Sequence, residues 1–209
     1  MRLLPRLGLS SWRSSRWQPA ALSLTVLLMA SATTGLPRQG RSTANQDWER
    51  AAREISRLSP SEFKELPAPI MKQLESRGCT IPQSAEFSAP HNVITGEFAR
   101  KAQKDWAVLC STQGKSTILV FWGGPAKCFA ELASAKDRDY LQGIGDGRTG
   151  YSRKISPLGA KQVFAHSELH GGPKPPPPDH QGIDDAFVGK ASVIHYCHQG
   201  VWRELEGAD

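Results

Sequence analysis

Two neighbouring stretches constrain the fold of this chain more than anything else in it. Asp105-Trp106-Ala107-Val108-Leu109-Cys110-Ser111 and Thr117-Ile118-Leu119-Val120-Phe121-Trp122 both read as strands, joined by a turn at Thr112-Gln113-Gly114-Lys115. Strand side chains alternate between faces, so the first strand carries Trp106, Val108 and Cys110 on one side and Ala107 and Leu109 on the other. The second is apolar on both sides. Such strands belong in the middle of a sheet, where both faces are covered.

Further elements frame this pair. Asn92 to Phe98 reads as a preceding strand, and Gln162 to Ala165 as a short one. Ala191 to Cys197 forms a strand, His198-Gln199-Gly200 a three-residue loop, and Val201 to Leu205 the return. Upstream, Trp48, Ala51, Ala52, Ile55 and Leu58 recur at helical spacing behind Asp47 as N-cap. Ser59-Pro60-Ser61-Glu62 carries a capping box with proline at the first helical position. A helix over about Pro69 to Ser76 ends at Gly78, where a left-handed cap residue belongs. The expected fold is α+β: N-terminal helices packed on a mainly antiparallel sheet built from hairpins, in one domain over 46–209.

The first thirty-odd residues read as an export signal. Arg2, Arg6, Arg13 and Arg16 precede an apolar run from Ala20 to Ala30, and Ala30-Ser31-Ala32 supplies a small-x-small cleavage pattern. The run is shorter than the roughly 20 residues that a spanning helix needs. Residues 1–32 are therefore expected to be a signal peptide and 33–45 a flexible linker. The mature chain is expected in the periplasm or outside the cell, with no stable membrane anchor. The formal net charge of the whole chain is +6, but the four arginines of the signal segment account for most of it and leave +2. That balance gives little drive toward nucleic acid, so none is expected as partner.

An even count of four cysteines, Cys79, Cys110, Cys128 and Cys197, in an oxidising compartment predicts two disulfides. Three pairings are open; the one favoured here joins Cys79, at a helix end, to Cys110 inside a strand. Without a Cys-x-x-Cys pair, neither a zinc knuckle nor a redox dithiol is indicated.

Candidate chemistry is sparse. Gly143-Ile144-Gly145-Asp146-Gly147-Arg148-Thr149-Gly150 lacks the preceding strand and following helix of a phosphate loop and is expected to be a tight turn. Gly171 to Pro178 is proline-rich and is expected to be a polyproline-like surface loop. Asp179-His180-Gln181-Gly182-Ile183-Asp184-Asp185 is the densest polar segment beside an apolar strand start at Ala186. Here Asp179, His180 and Asp184 are the candidate catalytic groups, because a carboxylate–imidazole pair can move a proton when partly buried. The opposing expectation is a turn in which Asp179 and Asp184 cap backbone donors. His166 and His180, with Asp184 or Asp185, are the candidate metal ligands, although their spacing fits no zinc motif. No cofactor is expected.

Two resemblances arise at these residues. Gly96-Glu97-Phe98 followed by Lys104 to Leu109 resembles one blade element of the FG-GAP type of β-propeller, but the loop Ala99 to Gln103 lacks the acidic ligands of a calcium site. Arg77-Gly78-Cys79-Thr80-Ile81-Pro82-Gln83, Asp105 to Ser111, Asp179 to Ile183 and the last strands together resemble a family of uncharacterised exported bacterial proteins. That resemblance implies export, a single domain and a Cys79–Cys110 pair, and no catalytic residue. The expected function is an exported binding or structural module for an unidentified ligand or protein partner. The alternative is a small hydrolase or metal-dependent enzyme using His180, Asp179 and Asp184.

Overall fold

The computed structural model describes residues 40–169 and 176–207, with side chains over 46–165 and 176–207. The predicted signal peptide, residues 33–39 of the predicted linker and most of the proline tract lie outside them. Helix α1 covers Gly40–Arg53. It begins inside the predicted linker, and Asp47 lies within it, paired with Arg50 at 2.8 Å, instead of capping it. Arg41 to Asn45 is polar but contains neither glycine nor proline, so nothing there stops a helix.

Strand β1 (Arg57–Leu58) precedes a 3₁₀ turn at Pro60–Glu62, in which Ser59 and Glu62 form both halves of the predicted capping box. Helix α2 (Ala68–Ser76) ends in a Schellman motif. Gly78 takes φ +68° and donates to the Glu75 carbonyl at 2.9 Å, and Cys79 donates to the Leu74 carbonyl at 3.0 Å. This reversal brings Cys79 to Cys110. The chain then enters β2 (Ile81–Pro82), which pairs with β1.

Two four-stranded antiparallel sheets follow where one was expected. The first contains β3 (Val93–Gly96), β4 (Asp105–Thr112), β5 (Lys115–Phe121) and β6 (Glu131–Lys136), in chain order. A small hairpin, β7 (Leu141–Gly143) with β8 (Thr149–Tyr151), turns through the glycine-rich stretch; the tight turn is there, but a strand, β7, does lead into it, against expectation, and a strand instead of a helix follows. The second sheet contains β9 (Arg153–Leu158), β10 (Gly182–Phe187), β11 (Ala191–His198) and β12 (Val201–Glu206), ordered β12-β11-β10-β9.

The two apolar faces of β4 and β5 explain this layering. On one side Trp106, Val108, Cys110 and Leu119 pack with Phe63, Leu66, Leu74 and Ile81 from α2 and its flanks. On the other, Ala107, Leu109, Ile118 and Val120 pack with Ile155 and Ile183 of the second sheet. The second sheet's outer face buries Ile194 and Tyr196 against Val163. That residue belongs to helix α3 (Ala160–Leu169), which replaces the short strand expected at Gln162 to Ala165. A single fully buried side chain, Val163, fits an alternating pattern as well as a helical one, so a four-residue window could not separate the two.

Both disulfides form. Cys79–Cys110 ties the α2 layer to β4, as predicted, and Cys128–Cys197 ties the loop after β5 to β11 in the second sheet. Each bond therefore joins two layers, and together they fit an oxidising environment. No helix among the described residues is long and apolar enough to cross a membrane.

Candidate functional site

The candidate site lies where three loops meet at one end of the sandwich: 99–104 between β3 and β4, 122–130 after β5, and the β11–β12 turn at Gln199-Gly200. A fully buried carboxylate organises the first two. Asp105 accepts from the backbone N–H groups of Phe98 and Ala99 at 3.0 Å each, from Gln103 Nε2 at 2.7 Å and from Gly123 N–H at 2.9 Å. Gly123 must be glycine, because a Cβ there would meet the Lys104 carbonyl oxygen at 2.0 Å. The third loop is a two-residue turn instead of the expected three. His198 pairs with Val201, and Gln199 and Gly200 take φ of 52° and 88°, the left-handed pair of a type I′ turn.

Loop 122–130 is fastened to the third element twice. Cys128 is bonded to Cys197, and Trp202 Nε1 donates to the Phe129 carbonyl at 2.9 Å. Trp122 stacks on Trp202 with ring centroids 5.9 Å apart. Phe129 is left 80 % exposed and Val201 52 % exposed, held outward on a pinned backbone. A cleft of about 280 Å3 runs between the loops, lined in part by Arg100, Pro125, Lys127 and Gly200. Arg100, Lys101, Lys104 and Lys127 are exposed, and residues 99–104, 122–129 and 198–202 contain no Asp or Glu. These segments are thus aromatic and basic, with Glu97 and the exposed Glu131 just outside them.

Asp105→Ala is expected to leave three backbone donors without their acceptor and to destabilise the domain by about 2–3 kcal/mol, since each buried unmet donor costs about 1 kcal/mol or more. Urea unfolding measures it; an unchanged midpoint would mean that solvent replaces the carboxylate.

The sequence-predicted site residues are arranged differently. His180 is 5 % exposed, with Nδ1 2.9 Å from the Gln181 carbonyl oxygen and Nε2 2.9 Å from the Cys197 carbonyl oxygen. Its ring stacks on Tyr196 at 4.3 Å. Asp179 lies beside it, accepting from the Tyr196 hydroxyl at 3.1 Å, but its side chain is 81 % exposed. Asp184 is not in a turn; it sits within β10 opposite Ile194 and Ser156. His166 lies on α3, its side chain outside those described. Among the described residues no group of three or more His, Cys, Asp or Glu could hold a metal ion.

Sequence reasoning missed a buried ionic cluster between the sheets. Arg153, fully buried, donates to both Asp185 oxygens, Nε to Oδ1 at 2.8 Å and Nη2 to Oδ2 at 2.7 Å. It also donates to Ser116 Oγ at 2.9 Å and to the Ala133 carbonyl at 2.6 Å, and it lies 4.5 Å from the centre of the Tyr140 ring. His195 follows, Nε2 3.6 Å from Asp185 Oδ2 and Nδ1 4.0 Å from Glu204 Oε1. Burial alone would raise the Asp185 pKa; the Arg153 hydrogen bonds and charge, with His195 beside it, outweigh burial and hold the carboxyl below its ordinary value. With every guanidinium nitrogen bonded within the fold, the cluster reads as a structural tie between sheets.

Comparison of the chain with protein-family models, with curated proteins and with solved structures finds no match.

Proposed function

We propose that this protein is an exported, disulfide-braced binding module that engages its partner through the aromatic and basic loop end. The observation that carries this reading is Phe129, 80 % exposed on a backbone fixed by the Cys128–Cys197 bond and the Trp202 hydrogen bond. Holding a large apolar side chain in water gains nothing for the fold, whereas a pre-ordered contact lowers the entropy cost of binding. Export is supported by the N-terminal pattern and by two disulfides.

The hydrolase alternative has less support. Both His180 nitrogens face backbone carbonyls and one ring face is covered by Tyr196, so neither is open to a substrate proton or a metal. The clefts at α1 (about 390 Å3), beside Asp185 (about 330 Å3) and at the loop end (about 280 Å3) are lined by residues other than Asp179, His180 and Asp184. His180→Ala is expected to cost about 2 kcal/mol of stability through lost hydrogen bonding to the backbone and ring stacking, and to leave binding intact. Loss of binding from a still-folded His180→Ala variant would return that residue to the site.

The test is co-sedimentation of the full chain with bacterial cell-envelope material, wild type against Phe129→Asp. At 80 % exposure the substitution leaves the core untouched. Wild type is expected to pellet and the variant to stay in solution. Equal pelleting of both would overturn the assignment of the loop end.

A further inference from the structure

We infer that the loop end docks reversibly on an anionic phospholipid surface. The inference rests on the binding-module reading above and names the chemistry of its partner.

Three features point to a bilayer over a protein or a glycan. First, the surface charge is one-sided. Arg100, Lys101, Lys104 and Lys127 are exposed among segments that hold no acidic residue, on a mature chain whose predicted net charge is close to neutral. With no acidic residue in these segments, their four basic side chains give this end a local positive charge, which complements a negative surface. Second, the apolar groups protrude. Phe129 and Val201 stand out from loop and strand-turn positions, with Trp122 and Trp202 stacked behind them. Aromatic rings backed by Lys and Arg are the composition that settles at the boundary of headgroups and acyl chains. Third, the cleft between the loops is lined by no acidic residue. A sugar site would draw on side-chain carboxylates to accept from hydroxyls, and Asp105, at the end of loop 99–104, is buried with its oxygens already used by backbone and Gln103 donors.

The rigid backbone makes this arrangement effective. Asp105 fixes loop 99–104 against Gly123, and Cys128–Cys197 fixes Phe129 against β11. Arg100, Lys127 and Phe129 can meet one surface together without any loop having to fold on contact. Insertion of Phe129 and electrostatic attraction then act in concert, which single weak contacts do not achieve.

Flotation of the full chain with vesicles tests the inference. One set contains phosphatidylglycerol and phosphatidylcholine in equal parts, the other phosphatidylcholine alone. Wild type, Phe129→Asp and the double variant Arg100→Ala with Lys127→Ala all carry the same N-terminal segment, so differences between them isolate the loop end. Each basic side chain near the surface strengthens binding about fivefold. The double variant is expected to bind anionic vesicles about twentyfold or more weakly than wild type, and Phe129→Asp to lose most of its binding. Wild type is expected to prefer anionic over neutral vesicles and to lose that preference in high salt. Equal flotation of all three chains, or no preference for anionic lipid, overturns the inference. If Phe129→Asp still abolishes envelope binding in that event, lipid docking fails alone and a protein or glycan takes its place. If envelope binding also survives the substitution, the binding-module assignment of the loop end fails with it.

Discussion

Arg153→Ala is expected to destabilise the domain by about 3–5 kcal/mol, the usual result of leaving a buried carboxylate without its cation. Asp185 keeps its place between the sheets but loses both guanidinium bonds, and the nearest remaining side chain, His195, has Nε2 3.6 Å from Oδ2. Replacing the pair together, Arg153→Met with Asp185→Leu, is expected to recover most of the loss, because two apolar side chains need no partners. The pH dependence has a definite sign. The Asp185 pKa is lowered in the folded state, so its contribution is fully present above the ordinary aspartate range and is lost as the pH falls through the folded value. Wild type should therefore lose stability on acidification, and Arg153→Ala should lose less. Urea midpoints at neutral and acid pH measure both effects. A single variant as stable as wild type would show that water reaches Asp185 and that the Arg153 bonds to Ser116 and Ala133 are not needed to tie the sheets.

Removing the second disulfide, Cys128→Ala with Cys197→Ala, is expected to cost about 4 kcal/mol, from the loop-closure entropy regained by the unfolded chain. The bond spans 69 residues and joins the two sheets, so much of the chain lies within the closed loop. Its loss also loosens the backbone that presents Phe129, leaving the Trp202 hydrogen bond to hold that stretch to the second sheet. The variant is thus expected to be both less stable and weaker in envelope binding, even where it is fully folded. A variant that loses stability and binds as wild type would separate the bond from the site.

These effects show what was legible in the sequence and what was not. The central pair β4 and β5 was legible because apolar side chains alternate on both of its faces. The same pattern demanded two covering layers, and only the helical one was foreseen. The second sheet was concealed in part by β10 (Gly182–Phe187), whose first four residues fall in the polar segment Asp179 to Asp185, so that only Ala186 onward reads as strand. Carboxylates are depleted in strands, and Asp185 is tolerated there because Arg153, 32 residues away in the chain, meets it. Local pattern carries no information about a partner at that distance. The Cys79–Cys110 pair was foreseen; its structural counterpart is the Gly78 reversal, which is written in the sequence as a helix followed by glycine.

The candidate site was less legible than the fold. His180 and Asp179 are adjacent in sequence and in space, yet burial turned the imidazole into a bracket for the Cys197 and Gln181 carbonyls. The loop end assembles from three segments, and its organiser, Asp105, looks like an ordinary strand-initiating residue until its four hydrogen bonds are known. The visible signals were the run Arg100, Lys101 and Lys104, and Gly123-Gly124-Pro125 as a loop between two strands. Neither announces that Phe129 is exposed.

Hydrogen exchange of the full chain, with and without envelope material, locates the binding surface. Slowed exchange is expected only at residues 99–104, 122–130 and 198–202, and is expected to disappear in Phe129→Asp. Slowed exchange instead around residues 176–184, with these three loops unchanged, would contradict the loop-end assignment and move the site to His180.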